Sequence, residues 1–418
     1  MNEVLAKITP DKAERTKVQQ AATSFLQRLN SKFKQGTKAI LGGSGAKDTW
    51  LAGNHDVDVF VVFPYQQYAP KTAELPDDVE PVLKKVFPGI GIQRLHGSRD
   101  YFQLNYEQLN FEVIPLLKIS KASQAKNITD ISPLHSLWVN KKTRKLKGEI
   151  RLAKQFLRAR GLYGAESYIT GFSGYVVEIL IAHYGSLERL LKASQTWKVK
   201  EVIDVEKYYA KKDALFQLNK SKTQSPLIVI DPVDKNRNAA AALSLEKFLL
   251  LKKVAKDYLR KPTAAFFEPK MIDFPQLQKE AEKKKLNLVY LSVLPLPGKE
   301  DVVGIKLLKA FTFLQQKLAP FSVKKSGWEW NKKETAQFYF FLEKKQLPAV
   351  EIRPGPPLKL TPFVEDFKKK NKETFIENGK ILARIKTKQP LLPDNVKALL
   401  RETYVQERVK GIKEMKVV

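Results

Sequence analysis

The sequence predicts an α+β protein of several domains: a small head of mixed sheet and helices, a mostly helical centre, and a mixed α/β C-terminal region. Three observations lead there. Apolar residues recur at helical and at strand spacing in alternating blocks along the chain. A stretch around residue 60 is apolar enough for a buried strand, yet carries two aspartates one residue apart. The 418 residues, 43% of them hydrophobic, suffice for roughly two to four domains with ordinary cores.

The elements follow in order. Residues 11–34 predict a helix, because Val18, Ala22, Phe25, Leu26 and Leu29 make one apolar stripe and Gly36 follows its end. "TKAILGGS" is a short strand running into a Gly-Ser turn, "DTWLAGN" a short helix or turn, and "DVDVFVVFP" the next strand. "QRLHGSRDYFQLNYEQLNFEVIPLLKI" alternates apolar and polar residues around the turn signal "HGSRD", which predicts antiparallel strands. Together these form a head over residues 1–130.

Residues 131–258 read as a second, mostly helical domain. "KGEIRLAKQFLRARG" is an amphipathic helix, with Ile150, Ala153 and Leu157 on one face and Arg151, Lys154 and Arg158 as a basic stripe on another. "GFSGYVVEILIAHYGSLERLLKAS" predicts packed helices, "SPLIVIDPVD" a strand stopped by Pro232, and "SLEKFLLLKKVAKDYL" a further helix. Residues 259–418 mix both kinds again. "LNLVYLSVLPL" and "TAQFYFFLE" are buried strands around the helical "GIKLLKAFTFLQQKL", and Asn378-Gly379 in "FIENGKILARI" signals a hairpin.

Charge narrows the function. With 74 Lys+Arg against 44 Asp+Glu, the net charge of +30 points to a polyanionic partner, most simply nucleic acid. An anionic membrane surface would give the same bias. However, no apolar run approaches a spanning helix, and no signal peptide opens the chain, so no membrane partner is expected. The absence of cysteine excludes disulfides, thiolate catalysis and cysteine-type zinc sites, and a reducing cytoplasm fits. The four histidines, His55, His96, His135 and His183, are scattered without metal-ligand spacing.

The chemistry concentrates in "LGGSGAKDTWLAGNHDVDVFVVFP". In a strand, residues two apart share a face, so Asp56 and Asp58 project side by side from the same side. Like charges there repel, and each resists desolvation. A divalent cation is the simplest compensation. Gly42-Gly43-Ser44 ends the preceding strand, where backbone N–H groups and the Ser44 hydroxyl suit phosphate oxygens, and Lys47 adds a positive charge. A third carboxylate, Glu112, sits in the apolar strand context "NFEVIPLL". Three carboxylates beside a phosphate cradle describe a two-metal site. Singly, each part has a plainer explanation: a turn, a solvated edge, a surface ion pair. Their joint arrangement is more specific.

With these residues assembled, the sequence resembles the DNA polymerase β-like nucleotidyltransferases. More narrowly, it is similar to the archaeal (class I) CCA-adding tRNA nucleotidyltransferases. Gly43-Ser44 followed by Asp56-Val57-Asp58 carries the superfamily motif. "RLAKQFLRARGLYGAESYITGFSGYVVEILIAHYGS", "DPVDKNRNAAAALS" and "EIRPGPPL" carry the narrower likeness. The resemblance implies a polymerase β-like head and C-terminal domains that grip the acceptor arm and 3′ end of tRNA. It implies template-free addition of C, C and A from CTP and ATP with Mg²⁺, and it is compatible with a homodimer. Asp56, Asp58 and Glu112 would hold the metals. Ser44, Lys47, His135, Lys154 and Tyr163 would contact the nucleotide, mostly at its phosphates, and Arg237 would orient the base.

The sequence also departs from that family. Its third acid is usually Asp and is here Glu112, its first is often Glu and is here Asp56, and Lys47 stands where arginine is common. Two other readings stay open at this level: a poly(A) polymerase or oligoadenylate-synthesising relative, and an RNA-binding relative that has lost catalysis.

Overall fold

The computed structural model describes residues 1–418 except 35, 55, 210–212, 270 and 333, so His55 lies outside the described residues. The chain divides into two compact units, Met1–Lys270 and Met271–Val418.

The first unit is built on strands β1 (Lys38–Leu41), β2 (Asp56–Phe63), β3 (Gln93–Leu95), β4 (Tyr101–Tyr106) and β5 (Leu109–Leu117). Their order in the sheet is β1-β2-β5-β4-β3. β2 and β5 run parallel, and the other neighbours are antiparallel. Strand alternation explains the layering. Val57, Val59, Val61 and Phe63 point into a core shared with Ala21, Ala22, Phe25 and Leu29 of the helix Lys12–Asn30. That helix is capped by Asp11, whose side chain accepts the N–H of Glu14. Phe25 stacks between Phe87 (4.4 Å) and Phe111 (4.2 Å). The opposite face carries Asp56, Asp58, Asn110 and Glu112 at the start of β2 and β5, and the buried Phe60 and Leu116 further along.

The rest of this unit is mostly helical, with helices Ser132–Lys142, Lys147–Ala159, Gly174–Tyr184, Leu187–Thr196 and Leu245–Arg260. A small sheet, β6 (Glu201–Ile203), β7 (Leu227–Asp231) and β8 (Asp234–Asn238), completes it. Ile150, Ala153, Phe156 and Leu157 share its core with Val177, Ile181 and Leu251. Val4, from the first helix of the chain, packs into this core.

The basic stripe of Arg151, Lys154 and Arg158 is divided by burial. Only Arg158 is exposed, while Arg151 and Lys154 are buried against residues about a hundred positions earlier in the chain.

In the second unit, β9 (Asn287–Pro295), β10 (Val323–Trp330), β11 (Ala336–Leu342) and β15 (Val409–Val417) form an antiparallel sheet ordered β10-β11-β9-β15. The helix Glu300–Lys317 packs on it through Leu307, Phe311 and Leu314. A second sheet orders β12 (Val350–Pro357), β14 (Lys380–Lys386) and β13 (Thr374–Glu377) as β12-β14-β13. The predicted hairpin joins β13 to β14, with Asn378 and Gly379 at φ 48° and 72°, the left-handed values such a two-residue turn requires. "EIRPGPPL" falls largely on β12, an edge strand, where prolines remove no needed donor. Among the described residues, no helix is long and apolar enough to cross a membrane.

Because Phe25 is fully buried between two rings, Phe25→Ala should destabilise the first unit by about 3–5 kcal/mol. Urea denaturation followed by far-UV circular dichroism measures this. A loss below about 1 kcal/mol would place the core of the head elsewhere.

Candidate active site

The face of the five-stranded sheet turned away from Phe25 carries the predicted carboxylates, at the first residues of β2 and in β5. In the parallel register, Asp58 stands opposite Glu112 and Asp56 opposite Asn110. β4 adds Gln103 opposite Glu112. The Asn110 amide donates to Asp56 (3.1 Å) and the Gln103 amide to Glu112 (2.5 Å). Asp56 is exposed, and Asp58 and Glu112 are half-buried.

The Gly-Ser turn wraps on Asp58. The Gly42 N–H donates to the Asp58 carbonyl oxygen at 2.8 Å, and the Ser44 N–H donates to the Asp58 carboxylate. Gly43 has φ +53°, and a Cβ on it would lie 1.6 Å from Asp58 Oδ2. Glycine is therefore required there both for its backbone angle and for its lack of a side chain. Gly43–Lys47 forms a single short helical turn.

The Asp58 carboxyl is pushed up to about 6, by burial first and then by the neighbouring charges of Glu112 and Asp56, against the opposing effect of Lys47 and the Ser44 N–H. Three oxygen-donor side chains on one sheet face, the central one strained by like charge, fit a hard divalent cation. Among the described residues, the side chains as placed do not already form a three-ligand cage of His, Cys, Asp or Glu. The fit therefore rests on the donor set and its register.

A second group gathers around Glu178, a residue the sequence reading missed. Glu178 is fully buried on the helix Gly174–Tyr184. Its Oε2 accepts from Lys47 Nζ (2.6 Å), and its Oε1 from Lys154 Nζ (2.8 Å) and the Thr49 hydroxyl (2.6 Å). Burial alone would raise this carboxyl, but Lys154 and Lys47 outweigh it and hold it at about 2. Tyr163 belongs to the same group. A Cβ on Gly174 would lie 2.8 Å from the Tyr163 hydroxyl and 3.8 Å from Lys154 Cε. Burial pushes the Tyr163 phenol up to about 12, with the Glu178 charge adding to it. Arg151 clamps the loop beside Lys47, donating to the Trp50 carbonyl (3.0 Å) and the Asp48 carbonyl (2.8 Å). A single acid inside the otherwise apolar "GYVVEILIAHY" was the available signal for Glu178.

The third group centres on Asp231, also fully buried. His135 Nε2 lies 3.0 Å from Oδ2, Arg237 Nη1 donates to the same oxygen (2.5 Å), and the Tyr175 hydroxyl donates to Oδ1 (2.9 Å). The rings of His135 and Tyr175 stack at 4.0 Å. Burial would raise the Asp231 carboxyl, but His135 and Arg237 bring it down to about 2. The nine predicted residues thus fall into three groups: Ser44 with the three carboxylates, Lys47 with Lys154 and Tyr163, and His135 with Arg237. The charges link them, since Asp58 feels Lys47 and Tyr175 feels Glu178.

Since a Cβ at position 43 would fall on Asp58 Oδ2, Gly43→Ala should displace that carboxylate. It should abolish nucleotide incorporation while the circular dichroism spectrum stays close to the parent's. Activity at the parental level would mean that the turn does not position Asp58.

Three family models match successive parts of the chain: the nucleotidyltransferase domain at residues 23–135, the second domain of tRNA nucleotidyltransferase at 148–268, and the C-terminal domain of CCA-adding enzyme at 300–410. The CCA-adding enzyme of Nanoarchaeum equitans is 45% identical over 221 residues, 53% of this chain and 54% of that protein, so this match spans about half of each. That of Thermococcus kodakarensis is 29% identical over 426 residues, covering 98% of this chain and 92% of that one. Among solved structures, the Cid1 poly(U) polymerase bound to MgATP superposes with a TM-score of 0.50 at 13% identity, over 64% of this chain and 97% of that one. At that identity the likeness extends to the fold alone. The CCA-adding enzyme of Methanosarcina barkeri is 31% identical over 408 residues, 93% of this chain and 86% of that protein, and on that likeness the chain belongs to the CCA-adding enzyme family.

Proposed function

We propose that this protein completes the 3′ end of tRNA, adding C, C and A without a template from CTP and ATP. The observation that carries the reading is the sheet face on which Asp56, Asp58 and Glu112 lie together, with the Gly-Ser turn closed on Asp58. In this reading residues 1–130 are the catalytic head, 131–258 bind the nucleotide and the RNA end, and 259–418 grip the acceptor arm. The work is done in the cytoplasm, and the homodimer that the resemblance allows is read by sedimentation velocity.

Asp56, Asp58 and Glu112 would hold magnesium, which when bound supplies the charge that makes the 3′-hydroxyl a better nucleophile and stabilises the leaving pyrophosphate. The chain's own residues do the rest. Lys47, Lys154 and Tyr163 hold the triphosphate, with Ser44 at its near end and His135 at its edge. The hydroxyl and the α-phosphate are thereby kept in line, so positioning replaces covalent chemistry. Arg237, fixed by Asp231, presents its guanidinium to the base edge. Lys47 makes the phosphate contact a point charge where an arginine would give a fork. Shape and phosphate contacts suit the A-form acceptor arm and the net charge of +30.

The direct test incubates the protein with tRNA lacking its 3′ end and each nucleotide separately. Asp58→Ala should lower incorporation by at least about a hundredfold and leave tRNA affinity near the parental value. A rate within about tenfold of the parent would remove Asp58 from the chemistry. Arg237→Ala should lose roughly 1–3 kcal/mol of discrimination between CTP or ATP and the other nucleotides. Steady-state kcat/KM for all four nucleotides reads this, and an equal fall for all four assigns Arg237 to structure.

A further inference from the structure

We propose that Glu178 is the positioning residue of the triphosphate grip, one buried carboxylate that holds the ammoniums of Lys47 and Lys154 side by side. The inference rests on the assignment of those two lysines to the phosphates.

The geometry makes the case. Lys47 and Lys154 are 9% and 3% exposed, and Glu178 is not exposed at all. They come from different places: Lys47 from the turn after β1, Lys154 from the helix Lys147–Ala159, Glu178 from the helix Gly174–Tyr184. A buried ammonium needs a counter-charge to stay in place. Glu178 supplies it to both at once, since each of its oxygens takes one ammonium. Thr49 occupies a further acceptor site on Oε1.

The neighbouring charges are already accounted for. The Asp48 carboxylate receives Arg151 and Arg15 (2.5 and 2.8 Å), so it is committed to guanidiniums. Lys147 is exposed enough to bond Asn140 and adds positive field. Tyr163 stays neutral, its phenol pushed up by burial. Asp58, across the turn, lies within the field of Lys47. One carboxylate against two ammoniums leaves a surplus positive charge that favours a phosphate chain, and Lys154, whose three N–H groups are spent on Glu178 and Thr49, contributes to it through its charge. The pair is thus held ready before any nucleotide arrives, and the cost of ordering two flexible side chains is met in folding and not in binding.

Glutamine at this position offers one acceptor and one donor, so one of the two ammoniums would face an N–H group. The experiment compares E178Q with the parent in nucleotide incorporation, using inorganic pyrophosphate as the inhibitory probe. E178Q should raise KM for CTP and ATP and the pyrophosphate inhibition constant together, by roughly 10- to 100-fold. KM for tRNA should be unchanged. A general structural defect would move the tRNA constant too.

A folded E178Q with unchanged or tighter pyrophosphate inhibition overturns the proposal, because Glu178 would then be a bystander or a competitor of phosphate. Lys47→Met and Lys154→Met are measured alongside. If neither raises the nucleotide KM, the triphosphate assignment fails. If both do and E178Q does not, only the role of Glu178 fails. Should E178Q not fold, E178D serves in its place. It keeps the charge but reaches only one ammonium, so an intermediate rise in KM is expected and a parental KM refutes.

Discussion

The parallel pairing of β2 with β5 is the constraint on which the rest of the site depends. It sets Asp58 opposite Glu112 and, on the reverse face, Val57 opposite Phe111 and Val59 opposite Val113. Strand side chains alternate with period two, so a slip of one residue would send the aspartates into the core and the valines into water. The stack of Phe25 on Phe111 and the burial of Val57, Val59 and Val61 hold the register from the apolar side. The acids therefore share a face because the hydrophobic face opposite leaves them no choice. β1 then delivers the Gly-Ser turn against Asp58, since its antiparallel pairing with β2 brings Leu41 level with Val59.

The second constraint binds this sheet to the helical part of the same unit. Residues 47–50 are gripped from two helices: Arg151 and Lys154 on one, Glu178 on the other. Removing one partner from a buried charge network leaves the others uncompensated, so each of these contacts helps to hold the junction. Consequently the turn that positions Asp58 and the residues proposed for the phosphates are fixed by the same bonds. A displacement of the helices would be felt at the carboxylates.

Much of the fold was legible because its signals are local. The Asp56/Asp58 strand, the helix Lys12–Asn30 and the Asn378-Gly379 hairpin each follow from spacing or backbone preference within a few residues. What stayed hidden depends on distant partners. Helical periodicity placed Arg151 and Lys154 on a common stripe but could not say what covers it. The answer is a loop some hundred residues earlier. β12, with its three prolines, and β10, with little apolar alternation, lacked strand signals, and their pairing with β14 and β11 makes them strands. The parallel neighbours β2 and β5 lie about fifty residues apart, with β3 and β4 between them. Among the site residues, Asp231 and Glu178 were missed because each looks like an isolated acid in an apolar run until its cationic partners are brought to it.

Those two acids also separate two kinds of carboxylate in this protein. Glu178 and Asp231 are fully buried, yet both are held near 2, because the cations that face them outweigh burial. Asp58 moves the other way, to about 6, by burial first and then by two neighbouring charges of its own sign. Burial acts in the same direction on all three, so the sign of the shift is decided by what the chain has set beside each one. Where lysine, histidine or arginine is supplied from within, the carboxylate is a fixed part of the scaffold. Where carboxylates stand together, as Asp56, Asp58 and Glu112 do, Lys47 offsets only part of their repulsion, and a cation from outside the chain would complete the balance.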